Sequence, residues 1–467
     1  MVDVIREIIQ KIAISLALTA ILSMLAMNLL HLGESSFQSL GVIFFIIYTV
    51  VSLFTFSRHK LFFVLSVPIF AQFFHIFQRY HFSTGGNSLW RLIPFIILDT
   101  YLVHFLASTP RRSGGNYSVV ILIWLISSSL FLAISPNLSQ IVFGGIVMYV
   151  LTIPLLFVYL HTAAQATDFS KETEKYVSIL FVLFCLGSIG LVYLGAGYKG
   201  TDNLWATRNI ADTNTTMAYF ILLWPFSIQH AVKAQWSALG KIALTALFLA
   251  IVTLSFSRGA LLIVLPYILL TCMNNPGFIN FKWIIPLGVS VCFYFSDILT
   301  YISQLDLMYF WTLRFADIGS FSVMVNNLDR LSGRSEIHET AYQLFKQKPL
   351  FGHGTGSFEV LGPGYREAHS LWFTLLAEQG MMGVTLIYSL LCGLLFTLIR
   401  NRHATRNTNF LLSLIFFLIF NHTVGSTFVI LTGKSISINC IAPMLLLVIY
   451  FHSKSQKEGE NSIAATI

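Results

Sequence analysis

The sequence predicts an all-α polytopic membrane protein with 12 to 14 transmembrane helices and one large, partly helical loop on one face. Three observations carry this. Hydrophobic residues make up 56% of the chain and charged residues only 10%, against about 25% charged in an ordinary soluble domain. Apolar runs recur from end to end, each close to the ~20 residues that cross a ~30 Å hydrocarbon layer as a helix. The runs show no alternation of apolar and polar positions, so helices rather than barrel strands must satisfy the backbone in lipid.

Spans are expected near 11–30, 38–57, 60–77, 91–108, 118–134, 140–161, 176–197, 216–231, 241–257, 259–273, 283–298, 370–399, 408–430 and 435–452. Met1 to Gln10 is short and mixed in charge and runs straight into the first span. It reads as a transmembrane start rather than a cleaved signal. An even number of spans puts both termini on one side. Arg58, Lys60, Arg111, Arg112, Lys171, Lys175, Arg400, Arg402 and Arg406 then fall on that side, which the positive-inside rule makes cytoplasmic. The net charge of +8 is thereby read as topology and not as nucleic-acid binding. The five cysteines lie in apolar runs without a Cys-x-x-Cys pair, so neither a disulfide framework nor a thiolate metal site is expected.

The chain divides into spans over 1–298, a loop over 299–369, further spans over 370–452 and a cytoplasmic tail over 453–467. The loop is far longer than the ~15 residues beyond which a connection usually carries function or disorder. Ile337, Ala341, Leu344 and Phe345 repeat at helical spacing within it, so it contains an amphipathic helix, with Ser332 placed to cap it. The loop therefore reads as a small folded cap.

In a chain so poor in charge, ionisable residues beside apolar runs are functional candidates. Arg258 is the lone charge between Ile242 and Gly277, a stretch too long for one crossing, and belongs at an outer hairpin. It either snorkels to headgroups or binds a buried anion such as a diphosphate. Arg208 precedes the span at 216 and has Asp212 nearby, so an ion pair competes with ligand binding. Arg334 and His338 share a face of the loop helix at i and i+4, with a bridge from Arg334 to Glu367 or Asp329 as the structural alternative. His369 stands where the loop re-enters the membrane, beside Trp372; an imidazole titrates near neutral pH and can accept a proton there. The glycines at 352, 354, 356, 362 and 364 lack a Gly-Lys-Ser/Thr ending and read as backbone turns. The sequence offers no metal cluster on the outer face.

Taken together, Ser257-Arg258-Gly259-Ala260, Ser332-Gly333-Arg334, Lys348-Pro349-Leu350-Phe351-Gly352-His353-Gly354, His369-Ser370-Leu371-Trp372 and Glu378-Gln379-Gly380-Met381-Met382-Gly383 form a recognisable series. The stretch from Arg208 to about Ile399 resembles the WaaL/Wzy-type superfamily of O-antigen ligases and polymerases. The resemblance implies a GT-C-like fold in the inner membrane of a Gram-negative bacterium, with its site facing the periplasm. It implies an undecaprenyl-diphosphate-linked glycan as donor, lipid A-core as acceptor, no cofactor and no metal. Arg258, Arg334 and, more loosely, Arg208 would then hold the diphosphate, and His369 would be the base; His338 matches no motif of the family. A polymerase, a protein O-oligosaccharyltransferase and a lipid-linked glycan transporter are the competing readings.

Overall fold

The computed structural model describes residues 36–55, 59–79, 92–108, 117–136, 144–193, 213–255, 257–275, 278, 334–363, 367–400, 405–425 and 440–464. The expected spans at 11–30 and 283–298, and Ser332, lie outside them. The described residues hold helices and no strand, as an all-α polytopic membrane protein requires. We number the helices α1 (Ser36–Phe54), α2 (Lys60–Arg79), α3 (Ile93–Ser108), α4 (Tyr117–Ala133), α5 (Ile146–Ala163), α6 (Phe169–Tyr193) and α7 (Thr213–Lys233). They continue with α8 (Ala238–Leu254), α9 (Arg258–Met273), α10 (Arg334–Gln347), α11 (Ser357–Leu361), α12 (Leu371–Arg400), α13 (Thr405–Thr423) and α14 (Ile441–Ala464).

Every expected span within the described residues corresponds to one of these helices. Ile146–Ala163, Phe169–Gly190 and Leu371–Arg400 are long and apolar enough to cross a membrane, and several shorter apolar helices accompany them. Large apolar side chains cover the outside, as on α4, where Leu122 is 55% and Ile126 60% exposed. Such a surface is stable against hydrocarbon rather than water.

At the centre stands α7, buried along Met217–Trp224 and packed on α6 and α13. Pro225 interrupts it. Proline has no N–H, so the carbonyl of Ile221 one turn earlier loses its helical donor. Two hydroxyls replace it: Tyr267 Oη on α9 donates to Ile221 O at 2.8 Å and Ser413 Oγ on α13 at 2.7 Å. A carbonyl left open in one helix thus becomes a cross-link among three. Toward the far end of the bundle, Lys233 and His452 meet the buried carboxylate of Glu174, at 2.5 Å and 3.0 Å. A buried charge is tolerable there because it is paired and hydrogen-bonded.

The cap is built on a break in α12. Gly380 has φ 59° and ψ −161°, a conformation open to little but glycine. An unbroken helix would pair the N–H groups of Met381 and Met382 with the carbonyls of Ala377 and Glu378. Here the glycine-rich loop takes all four groups. Met381 N donates to Pro349 O (2.9 Å), Met382 N to Leu350 O (3.1 Å), His353 N to Ala377 O (3.1 Å) and Gly354 N to Glu378 O (2.7 Å). The backbones are so close that a Cβ on Gly380 would sit 2.6 Å from the Leu350 carbonyl, and one on Gly352 2.4 Å from the Glu378 carbonyl carbon. The loop also reaches α4: Thr355 N donates to Phe131 O at 2.9 Å and Ser135 Oγ to Thr355 O at 2.9 Å.

The break folds α12 back on itself. In a straight helix Trp372 and Tyr388 would be about 24 Å apart along the axis. Their rings are instead 5.6 Å apart, edge to face. The expected span at 370–399 is therefore a short segment, Leu371–Gln379, and a longer straight one beyond Gly380. Helical periodicity does not reveal a glycine held at positive φ by a distant loop. The short segment carries the cap, where Ile337, Ala341 and Leu344 of α10 pack with Phe358, Ala368 and Ala377 in a core of their own.

Gly380→Ala is expected to lose roughly 1–3 kcal/mol from backbone strain alone, seen as a lower thermal midpoint in detergent. Gly393→Ala on the same helix meets open space and should not lower the midpoint. Equal midpoints for the two variants would mean that the break does not hold the cap.

Candidate functional site

The hairpin between α8 and α9 is made by serines. Ser255 Oγ donates to Val252 O at 2.6 Å and accepts from Ser257 N at 3.2 Å, and Ser257 Oγ caps α9 by accepting from Ala260 N at 3.2 Å. Arg258 is the first residue of α9, at the hairpin the sequence led us to expect. It occupies a helix N-terminus, where the macrodipole and free N–H groups favour an anion. Gly259 follows because Val424 lies against it: a Cβ there would be 2.5 Å from Val424 Cγ2.

Val424 also joins this hairpin to the cap. It closes the carboxyl end of α13, whose last carbonyls have no helical donors. Arg334, the first residue of α10, supplies them, with Nη1 donating to Thr423 O and Nη2 to Val424 O at 3.2 Å. A guanidinium suits this position, since it carries several donors in a fixed plane and its charge complements the negative end of the dipole. Arg334 and the start of α9 are thus gathered around one residue. Asp329, the alternative partner for Arg334, lies outside the described residues, and so does Arg208.

His369 occupies the turn before α12 with φ 52°, an uncommon conformation for a residue with a side chain. The adjoining turn is fixed by Ala368 N donating to Thr374 Oγ1 at 3.2 Å and Thr374 N to Ser370 O at 2.9 Å. The imidazole stays 30% exposed, and its Nδ1 stands 3.7 Å from Glu367 Oε1, itself on a mostly buried side chain. Three residues on, Trp372 packs on Tyr388, whose hydroxyl is hydrogen-bonded to His422 Nε2. His422 belongs to the last turn of α13, one residue before the carbonyl that holds Arg334. The folded-back α12 therefore links the His369 turn to the carboxyl end of α13 by a chain of side-chain contacts.

His338 is placed differently. Its ring stacks on Phe373 at 4.4 Å and 15°, between α10 and the short segment of α12, as a packing element of the cap. The glycine loop is no phosphate cradle: the amides of Gly352, His353, Gly354 and Thr355 all donate to backbone carbonyls. Among the described residues no group of three His, Cys, Asp or Glu side chains is placed to hold a metal ion.

Sequence reasoning missed three acidic residues or their roles. Glu367 entered only as a partner for Arg334 and not for His369. Glu378 is buried at the break, where its carboxylate accepts from Phe358 N at 3.3 Å. Asp99 is 6% exposed on α3, with Thr152 of the widened first turn of α5 at 3.1 Å from Oδ2 and no hydrogen-bond partner for Oδ1 among the described residues. A lone carboxylate inside an apolar run was a readable signal for Asp99. Glu367 stands only two positions before His369, so their pairing too was within reach of the sequence, whereas nothing local announced Glu378.

No curated protein and no solved structure matches this chain. Residues 242–388 match the family Wzy_C, described as O-antigen ligase. That stretch contains Arg258, Arg334, His338, Glu367 and His369, and supports a glycosyl-transferring function of the ligase or polymerase type. The match covers residues 242–388, about a third of the chain, and is consistent with a member of the WaaL/Wzy-type O-antigen ligase superfamily.

Proposed function

We propose that this protein transfers an O-antigen glycan from undecaprenyl diphosphate to a sugar hydroxyl of lipid A-core, at the periplasmic face of a Gram-negative inner membrane. The observation that carries the reading is the convergence at one end of the bundle. The Arg258 end of α9 and the Arg334 guanidinium meet around Val424, and the His369–Glu367 pair stands on the turn linked to the same end of α13. Arg258, Arg334, Glu367 and His369 all fall inside the matched family stretch, and Val424 lies beyond it.

In this scheme the diphosphate of the donor lies at the amino end of α9. Arg258 and Arg334, with Arg208 as the third cation the sequence offers, meet the charge that develops as the diphosphate leaves with the electron pair of its bond to the anomeric carbon. The acceptor oxygen forms the new bond to that carbon from the opposite side, and its proton passes to His369, beside Glu367. A single displacement inverts the anomeric configuration. The leaving charge is met by guanidinium groups, so no step is routed through a metal. His338 serves the cap. The crowding of these groups at one end suits a transferase better than a transporter, whose charged residues usually lie near mid-membrane.

The test is glycan transfer by the purified protein in detergent with EDTA present, undecaprenyl-diphosphate glycan as donor and lipid A-core as acceptor. Glycan appearing on lipid A-core is the expected result. Lengthening of the donor glycan while lipid A-core stays bare would instead make the protein a polymerase.

His369→Asn keeps a residue that tolerates positive φ but removes the base, and should lower turnover by about 10²- to 10⁴-fold. Turnover within a few fold of the parent protein would remove His369 from the chemistry. The two arginines should separate. Arg258→Ala is expected to weaken donor use by about 10- to 100-fold, as for a lost charge-assisted hydrogen bond, with little change in thermal midpoint. Arg334→Ala should also lower the midpoint, since it uncaps α13 at a cost of about 1–2 kcal/mol. An Arg334→Ala protein as stable as its parent would contradict the capping role.

A further inference from the structure

A cavity of about 430 Å³ lies among α4, α5, α12 and α14. Its walls are apolar, with Val120 and Trp124 on one side, Phe157 on the second, and Leu390 and Leu394 opposite. Its volume falls within the range of ordinary small-molecule sites. It opens at the half of the bundle away from the cap: α4 begins at Tyr117, which lines the cavity, and ends beside Ser135, which is bonded to the cap loop. The outer face of α4 is exposed and apolar, so this helix stands between the cavity and the surrounding lipid.

One end of the cavity is polar. Tyr117 and Tyr450 line it, and Lys454, one turn beyond Tyr450 on α14, sets its Nζ 2.5 Å from Tyr117 Oη and 5.1 Å from the Tyr117 ring centre. An ammonium has three donors and the tyrosine hydroxyl takes one. Among the described residues no carboxylate pairs with Lys454. The sequence adds Arg111 and Arg112 shortly before Tyr117, and Lys457 one turn after Lys454. An apolar slot ending in a cation at the membrane surface has the form of a lipid: chain inside, anionic headgroup at the mouth.

We propose that this cavity binds one acyl chain of an anionic phospholipid from the leaflet opposite the cap, with the phosphate at Lys454. A phospholipid fits better than the polyprenyl donor because the cation is at the wrong end of the bundle for a diphosphate held at α9. Seated there, the lipid fills the space behind α4 and fixes α4 against α12, which also carries the cap. The proposal does not depend on which glycan the cap end handles.

The experiment is native mass spectrometry of the full-length protein, delipidated in detergent and titrated with phosphatidylglycerol, phosphatidylcholine or undecaprenyl phosphate. Phosphatidylglycerol should bind one per chain in preference to phosphatidylcholine. Lys454→Gln should reduce that preference about fivefold. Gly393→Leu, which projects into the cavity from a position with open space around it, should abolish the site while the protein stays folded. Equal binding of the two phospholipids, or a preference untouched by Lys454→Gln, overturns the proposal. So does undecaprenyl phosphate that binds more tightly than phosphatidylglycerol and is lost in Gly393→Leu, which would assign the cavity to a polyprenyl tail. With the parent protein alone, phosphatidylglycerol carrying a photoreactive acyl chain should label the 117–124 and 389–397 segments, and labelling confined to other helices refutes the site.

Discussion

A helix that breaks near an apolar layer leaves two amides and two carbonyls without helical partners, and each would cost several kcal/mol if left bare in lipid. The break at Gly380 is allowed because residues 349–354 supply two carbonyls and two amides in register with the four that are lost. Glycines on both sides let the two backbones approach within a distance that a side chain would forbid. Neither partner is stable in this form alone: the loop has no other place for its amides, and the helix has no other way to turn. From this mutual satisfaction follow the short Leu371–Gln379 segment, the cap core that packs on it, and the turn that presents His369.

The same economy governs the ends of the other helices. Pro225 frees a carbonyl that two hydroxyls from neighbouring helices take up, and the carboxyl end of α13 is closed by Arg334 rather than by solvent. Each repair links helices distant in sequence, so the groups that satisfy the backbone also set the distances between functional side chains. Arg334 shows the coupling plainly. It neutralises the end of α13, and in doing so it stands near the amino end of α9, whose field favours an anion. A stabilising contact and a charge suited to a leaving diphosphate are served by one side chain.

Away from the cap, the bundle is held by aromatic packing around α7 and by the Glu174 cluster, while α4 stands with its outer face in lipid. This division leaves one end tied by backbone hydrogen bonds and the cavity behind α4 bounded mostly by apolar side chains. The physical consequence is that volume can be filled there without disturbing the break at Gly380.

Composition and hydropathy sufficed for the membrane class and for the positions of the described spans, because a helix crossing lipid must be long and apolar whatever it packs against. The loop helix was legible for a similar reason: its apolar residues repeat at a period only a helix can bury on one side. Arg258 and His369 stood out because a charge or a base is costly in so apolar a chain, and the motif series around them pointed to the family. The sequence could not tell that Arg334 would be taken by carbonyls of α13 or that His338 would stack on Phe373. Nor could it show that α12 turns back at Gly380. Those outcomes depend on which groups meet once the helices assemble, as where Arg334 reaches a carbonyl ninety positions away.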